Sequence, residues 1–136
     1  RDLQQLFGPP ERVQVVSAVH LRPEIRYAHV PCTDDERTAR VLEAIRCAPR
    51  PFILYVTRPD EADAWLTKMK NEGWSRTAKF TGLTGSDERE ALLTRWAANE
   101  LDGMVATSAF GLGVDKHDVR AVIHATLPES LDRYYQ

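Results

Sequence analysis

The run Phe52-Ile53-Leu54-Tyr55-Val56 is as long as a strand and leaves no alternate position for a solvated face. A strand of this pattern is covered on both sides, which is the situation of a parallel sheet between helices. The next segment has the form of the crossover that such a sheet needs. Pro59 suits a helix's first turn, and Asp60 and Glu61 favour its positive end. Ala62, Trp65, Leu66 and Met69 share one face, and Gly73 closes the helix.

The alternation then repeats. Residues 77–81 read as a strand, Gly82-Leu83-Thr84-Gly85 as a turn, and the segment from Ser86 as a helix with Leu92, Leu93, Trp96 and Ala97 inward. Residues 104–107 and 121–125 supply two further strands, and Pro128 opens a last helix carrying Leu131, Tyr134 and Tyr135. Nearer the N-terminus, residues 13–19 and 25–30 predict strands on either side of Arg22-Pro23-Glu24. Thr33-Asp34-Asp35-Glu36 is a capping box for a helix with Val41, Leu42, Ile45 and Ala48 on its apolar stripe, stopped by Pro49. Strands alternating with amphipathic helices give an α/β class with a mainly parallel sheet and helices on both faces.

In such sheets ligands meet the loops at the carboxyl ends of the strands. Those loops are Thr57-Arg58, Thr81-Gly82-Leu83 and residues 107–116. A length of 136 residues fits one domain with one core. The net charge of −2 argues against coating nucleic acid by bulk electrostatics, yet leaves room for a local phosphate-binding strip. Cys32 and Cys47 lack metal-ligand spacing and read as free structural thiols, so no metal site is expected. The sequence contains no apolar run of membrane-spanning length and no signal-peptide pattern, and a cytoplasmic setting without membrane partners is expected.

Asp60-Glu61-Ala62-Asp63 spells the string DEAD, which in one group of helicases closes the nucleotide site. The metal-binding aspartate of that site ends an apolar strand, whereas Asp60 follows Thr57-Arg58-Pro59 and falls in a helix's first turn. The phosphate loop G-x-x-x-x-G-K-[ST] is absent as well, so the string is a coincidence of helix-dipole chemistry. Gly111-Leu112-Gly113 likewise lacks the third glycine of a dinucleotide fingerprint.

Several loop residues admit a phosphate-binding reading beside a plainer one. Thr107 ends an apolar strand, where its hydroxyl and N–H can hold a phosphate and Ser108 can add a donor, but by itself it reads as a good strand residue with a solvated hydroxyl. Arg58 and Thr57 stand before a helix start, a positively polarised place, although Arg58 also has Asp60 and Glu61 as nearby partners. Gly82 offers a bare backbone N–H, or is simply part of a helix-leading turn. Gly111 and Gly113 permit close backbone approach, or merely a tight turn. Lys116 and Arg120 suit phosphates or carboxylates; for Lys116 a solvated surface charge is the rival reading. Phe110, Trp65 and Trp96 read as core, and His124 as a hydrogen-bonded core histidine without chemistry.

Residues 105–124, VATSAFGLGVDKHDVRAVIH, resemble motif V of the second RecA-like domain of the RecQ family of superfamily 2 DNA helicases, commonly V-A-T-x-A-F-G-M-G-[IV]-[DN]-K-x-D-V-R-x-V-I-H. Residues 127–136, LPESLDRYYQ, resemble the LP-x-S-x-x-x-YYQ lead into motif VI. FILYVTRPDEADAW resembles motif IV, and RPEIRYAHV resembles the strand that opens this domain. The chain departs from the pattern at Phe80-Thr81-Gly82-Leu83, where His-Ala-Gly-Leu is usual, at His117 for proline, and at Leu112 for methionine.

The resemblance implies a three-layer RecA-like domain over residues 1–136, with 1–12 as an interlobe linker region, taken from a longer helicase. It implies ATP contacts from Gly113, Asp115, Lys116 and Gln136 at a cleft between lobes, with Asp115 meeting the ribose. Nucleic-acid contacts fall to Thr57, Arg58, Gly82, Thr107 and Ser108, and Arg120 faces the other lobe. ATP and Mg²⁺ would be bound mainly by an N-terminal RecA-like lobe, the partner in 3′-to-5′ unwinding of single-stranded and forked DNA. Since this chain holds neither the phosphate loop, the strand-ending D-E, nor the G-R-x-G-R arginine finger, it carries no catalytic residue and is expected to be inactive alone. The alternatives are the lobe of an RNA helicase, or a non-catalytic nucleic-acid or protein interaction module.

Overall fold

A computed structural model gives the fold, with residues 25–111 and 116–126 described. Residues 1–31 and 32–136 form two separate compact units. The elements are α1 (Asp34–Cys47), β1 (Phe52–Tyr55), α2 (Pro59–Asn71), β2 (Thr77–Phe80), α3 (Ser86–Ala97), β3 (Gly103–Ala106), a 3-10 turn (Ser108–Gly111) and β4 (Ala121–His124). The sheet is wholly parallel, in the order β2-β3-β1-β4. Phe52, Gly103, Ala121 and, through β3, Thr77 stand at one level at the amino edge. Tyr55, Ala106, His124 and Phe80 therefore end together at the carboxyl edge.

Alternation along the strands sorts the core into two layers. Phe52, Leu54 and Val105 lie under Val41 and Ile45 of α1 and Ala62, Trp65 and Met69 of α2. Ile53, Ala78, Phe80, Met104 and Ala106 lie under Leu92 and Trp96 of α3, with Phe110 completing the layer. The three-layer α/β architecture is thus as expected. Full burial of one such side chain stabilises the fold by about 1.5–3 kcal/mol. Gly103 is required by packing: a Cβ there would stand 2.5 Å from Cζ of the fully buried Phe52 ring.

The helix ends follow the sequence signals. Thr33 donates its N–H to Glu36 Oε2 at 3.0 Å, and Glu36 donates its own to Thr33 Oγ1 at 3.4 Å. The Thr33 N–H and the Thr33 hydroxyl, both donating to Glu36 Oε2, hold the Glu36 carboxyl below the usual carboxylate range. Gly73, just past α2, has φ of 92°, a conformation that favours glycine. Asn99, the second residue beyond α3, takes φ of 59° without being glycine.

Four expectations change. Residues 25–30 form no strand; Ile25, Tyr27 and Val30 are exposed, because β-branched composition suits a ladder without supplying the partner strand. Cys32 and Cys47 are free but exposed, so neither thiol belongs to the core. Ala97 is exposed at the end of α3. β4 is a sheet edge among the described residues, with Val122 51% exposed, so its apolar composition does not mean full cover. The strand expected at 13–19 and the helix expected from Pro128 lie outside the described residues.

The amino edge is a separate chemical surface. Arg50 and Arg76 converge on the one carboxylate of Asp102, at 3.6 and 3.4 Å, and the Arg50 guanidinium lies 4.7 Å over the Trp74 ring. No helix among the described residues is long and apolar enough to cross a membrane.

Candidate functional site

The common end of the strands turns four threonines toward one edge: Thr57 after β1, Thr81 after β2, Thr107 after β3 and Thr126 after β4. Backbone bonds carry the ladder one step further. Val56 donates to the Ala106 carbonyl at 2.9 Å, Ala125 to Tyr55 at 3.0 Å, and Thr107 to Phe80 at 3.2 Å. The Thr107 N–H is therefore engaged and does not offer itself to a phosphate as the sequence suggested. Its hydroxyl, on a residue 7% exposed, is the group left to contact a ligand. Ser108 beside it is exposed, at the start of the 3-10 turn.

Gly82 belongs to this edge. Its loop is locked by its own threonines: Thr81 N–H donates to Thr84 Oγ1 at 2.9 Å, Leu83 N–H to Thr81 Oγ1 at 3.2 Å, and Thr84 N–H to the Thr81 carbonyl at 3.1 Å. A Cβ on Gly82 would meet only the Ala109 Cβ, at 4.0 Å. This places the loop against the 3-10 turn and beside Thr107 and Ser108. Leu83 stands out from it 82% exposed.

Thr57 and Arg58 lie at the same edge with partners of their own. The Thr57 and Thr126 hydroxyls share a hydrogen bond of 3.0 Å. Glu61 Oε2 accepts the N–H groups of Thr57 and Arg58 at 3.0 and 3.2 Å, so the α2 N-terminus holds an internal anion. The Arg58 guanidinium is paired with Asp60 at 2.8 Å. Asp63, the last letter of the DEAD string, pairs with Lys79, and the string serves α2 rather than a nucleotide.

Thr126 and Glu61 are the members that sequence reading passed over. Thr126 was findable from register, since it follows β4 by the same interval as Thr57 follows β1. Beneath them, the Tyr55 and His124 rings stack with centroids 5.4 Å apart and 21° between planes. Burial pushes the Tyr55 phenol up and the His124 imidazole down from their ordinary values.

Lys116 and Arg120 are not brought to this edge. Arg120 donates its N–H to the Pro51 carbonyl at 2.9 Å, immediately before β4 begins, which is the amino edge. Lys116 turns its ammonium to Asn99 Oδ1 at 2.7 Å and Asp118 Oδ1 at 2.8 Å, and only 6% of its side chain is exposed. It holds the Asp118 carboxyl below the usual range. Gly113, Asp115 and Gln136 lie outside the described residues. Among the described residues no cluster of His, Cys, Asp or Glu is arranged to hold a metal ion.

Known proteins match this arrangement. The helicase conserved C-terminal domain family matches residues 36–136. Putative ATP-dependent DNA helicase Q1 of Caenorhabditis briggsae is 30% identical over 139 residues, covering 99% of this chain and 22% of that protein. ATP-dependent DNA helicase RecQ of Bacillus subtilis is 38% identical over 84 residues, 62% of this chain and 14% of its own length. The chain thus spans under a quarter of either relative.

Two solved structures share the fold. The yeast DEAD-box splicing factor Prp28 superposes with a TM-score of 0.67 at 20% identity, over 76% of this chain and 23% of that one. Mss116p DEAD-box helicase domain 2, bound to an RNA duplex, gives 0.61 at 19% identity, over 74% and 41%. The family match begins inside α1 and runs through every strand whose end forms the threonine edge. The chain belongs to the helicase conserved C-terminal domain family, on its RecQ-like branch within superfamily 2.

Proposed function

We propose that this domain is the C-terminal RecA-like lobe of an ATP-dependent DNA helicase, and that its threonine edge holds the phosphates of a single DNA strand. The observation that carries this reading is the convergence of Thr57, Gly82, Thr107 and Ser108 on one sheet edge, all on loops that follow parallel strands. Hydroxyls and backbone donors of this kind position a sugar-phosphate chain without reading its bases. The relatives named as ATP-dependent DNA helicases support DNA as the polymer.

In this reading Gly113, Asp115 and Gln136 face a nucleotide held by an N-terminal lobe, which supplies the Mg²⁺ site and the cleavage chemistry. Lys116 and Arg120 enter this reading as nucleotide and interlobe contacts that need the partner lobe, and within the domain itself the Lys116 ammonium is engaged by Asn99 and Asp118. Joined to its partner lobe, the domain couples ATP hydrolysis to 3′-to-5′ strand separation at forked DNA.

The test is fluorescence anisotropy of the purified chain with a labelled single-stranded oligothymidine across a salt series, alongside an ATPase assay. Salt-sensitive DNA binding without ATP turnover is expected. Equal affinity for a random-sequence strand is expected too, while appreciable ATP turnover by the chain alone, or binding that ignores salt, refutes the reading.

A further inference from the structure

Leu83 is the most exposed large apolar side chain among the described residues, 82% open to solvent, and it stands between two buried threonines, Thr81 and Thr84. Solitary apolar side chains on a surface are ordinary. This one differs in being held out by a closed set of bonds. Its own N–H donates to Thr81 Oγ1, the Thr84 N–H to the Thr81 carbonyl, and the Thr81 N–H to Thr84 Oγ1. Arg89 of α3 donates from Nη2 to the Thr84 carbonyl at 3.3 Å and lays its guanidinium 5.2 Å over the Phe80 ring. Phe80 in turn packs edge-on against Phe110 of the 3-10 turn, with centroids 5.0 Å apart.

The loop is thereby fixed beside the turn that carries Ser108, where a Cβ on Gly82 would reach the Ala109 Cβ at 4.0 Å. Leu83 shares this edge with the hydroxyls of Thr107 and Ser108, yet it has no donor to spare. Its N–H is used inside the loop, and what it presents outward is an apolar side chain. A nucleic-acid strand has a matching alternation. Its charged phosphates, which hydroxyls and N–H groups hold, are separated by sugars that carry a 2′-hydroxyl in RNA and a bare methylene in DNA.

We propose that Leu83 packs on the sugar next to a phosphate held by Thr107 and Ser108, and so makes this edge select deoxyribose over ribose. This inference rests on the reading of that edge as the DNA site. Against a deoxyribose the leucine covers the C2′ methylene, and apolar surface is buried on both sides. Against a ribose it presses on the 2′-hydroxyl and strips its water without returning a hydrogen bond, because the Leu83 N–H is already taken. The locked loop matters to this choice, since a mobile leucine could swing aside for the hydroxyl at little cost.

The test is fluorescence anisotropy of the 136-residue chain with labelled oligodeoxyuridine, oligouridine and 2′-fluoro-oligouridine of equal length, which share one base. The parent is expected to bind the DNA strand about tenfold more tightly than the RNA strand, within the range that a desolvated, unpaired hydroxyl costs. The 2′-fluoro strand, which cannot donate a hydrogen bond, is expected to bind close to the DNA strand. Leu83→Ser is expected to bring the DNA and RNA affinities within about twofold of each other, by removing the apolar wall and offering the hydroxyl a partner. Leu83→Met, apolar and of similar volume, is expected to keep the preference. Melting temperatures of both variants should lie close to the parent's, because the side chain is exposed.

Equal affinity of the parent for DNA and RNA overturns the assignment, as does a preference that Leu83→Ser leaves intact or a 2′-fluoro strand that binds as weakly as RNA. Thr107→Val separates this inference from the reading of the edge. It is expected to weaken DNA and RNA binding alike and to leave their ratio unchanged. If it alters neither affinity, the reading of the edge fails and the leucine assignment fails with it. If it weakens both while Leu83→Ser leaves the ratio as it was, only the leucine assignment fails.

Discussion

The guanidinium of Arg58 is held 2.8 Å from the carboxylate of Asp60, two residues along the same chain, with both side chains largely in water. An exposed pair of this kind contributes little to stability and exchanges partners readily. In the free domain Asp60 is therefore a competitor for the cation that a DNA phosphate would use. Asp60→Asn is expected to raise oligothymidine affinity about twofold to threefold, and Arg58→Ala to lower it and reduce the salt slope by about one. Anisotropy titrations at several salt concentrations check both directions, and an Asp60→Asn protein that binds more weakly would contradict the competition.

Thr107 tests the edge itself. Its N–H already serves the Phe80 carbonyl, so the hydroxyl is the group at issue. Thr107→Val keeps the shape and removes the donor, and is expected to weaken DNA binding about tenfold to a hundredfold, the worth of one hydrogen bond to a charged acceptor. Thr107→Ser should bind like the parent. A valine variant that binds as tightly as serine would show that the hydroxyl makes no phosphate contact.

Gly103→Ala addresses the core without touching the edge. The new Cβ would meet Phe52 Cζ at 2.5 Å, on a ring already packed edge-on against Trp74 at 5.8 Å. Overpacking of this kind costs about 1–3 kcal/mol. Urea denaturation is expected to show the lower midpoint, with an unchanged slope.

The pH dependence comes from His124. Burial lowers its imidazole below the ordinary value of 6.5, so below that pH the unfolded chain takes up a proton more readily than the folded one. The stability linked to this group is fully present above pH 6.5 and is lost as the pH falls through the folded value. His124→Phe retains a ring against Tyr55 and cannot titrate. Melting curves between neutral and mildly acidic pH are expected to fall less steeply for the variant than for the parent.

Much of the fold was legible in the sequence. The unbroken run at 52–56, the proline and acidic start of α2 and the Thr33 capping box each fix a local choice that the surroundings did not need to override. Residues 25–30 failed for the opposite reason, because strand formation is decided by a partner that composition cannot name.

Lys116 and Arg120 stand apart from the threonine edge for a topological reason. A chain leaving Ala106 at the carboxyl edge must return to the amino edge before a parallel β4 can begin at Ala121. One sequence motif is thereby divided between two edges, and its later members cannot share the site of Thr107. Parallel order was inferred from the sequence, so this division was available to inference, whereas the engagement of Arg58 by Asp60 depended on side-chain geometry.

The rear of the sheet, where Arg50 and Arg76 share Asp102 beside Trp74, offers a practical handle. Ser75 sits there in solvent, at the end of the strands opposite to the threonines. A dye or surface tether attached through Ser75→Cys, once Cys32 and Cys47 are replaced, would let single molecules be watched or immobilised with the threonine edge left open.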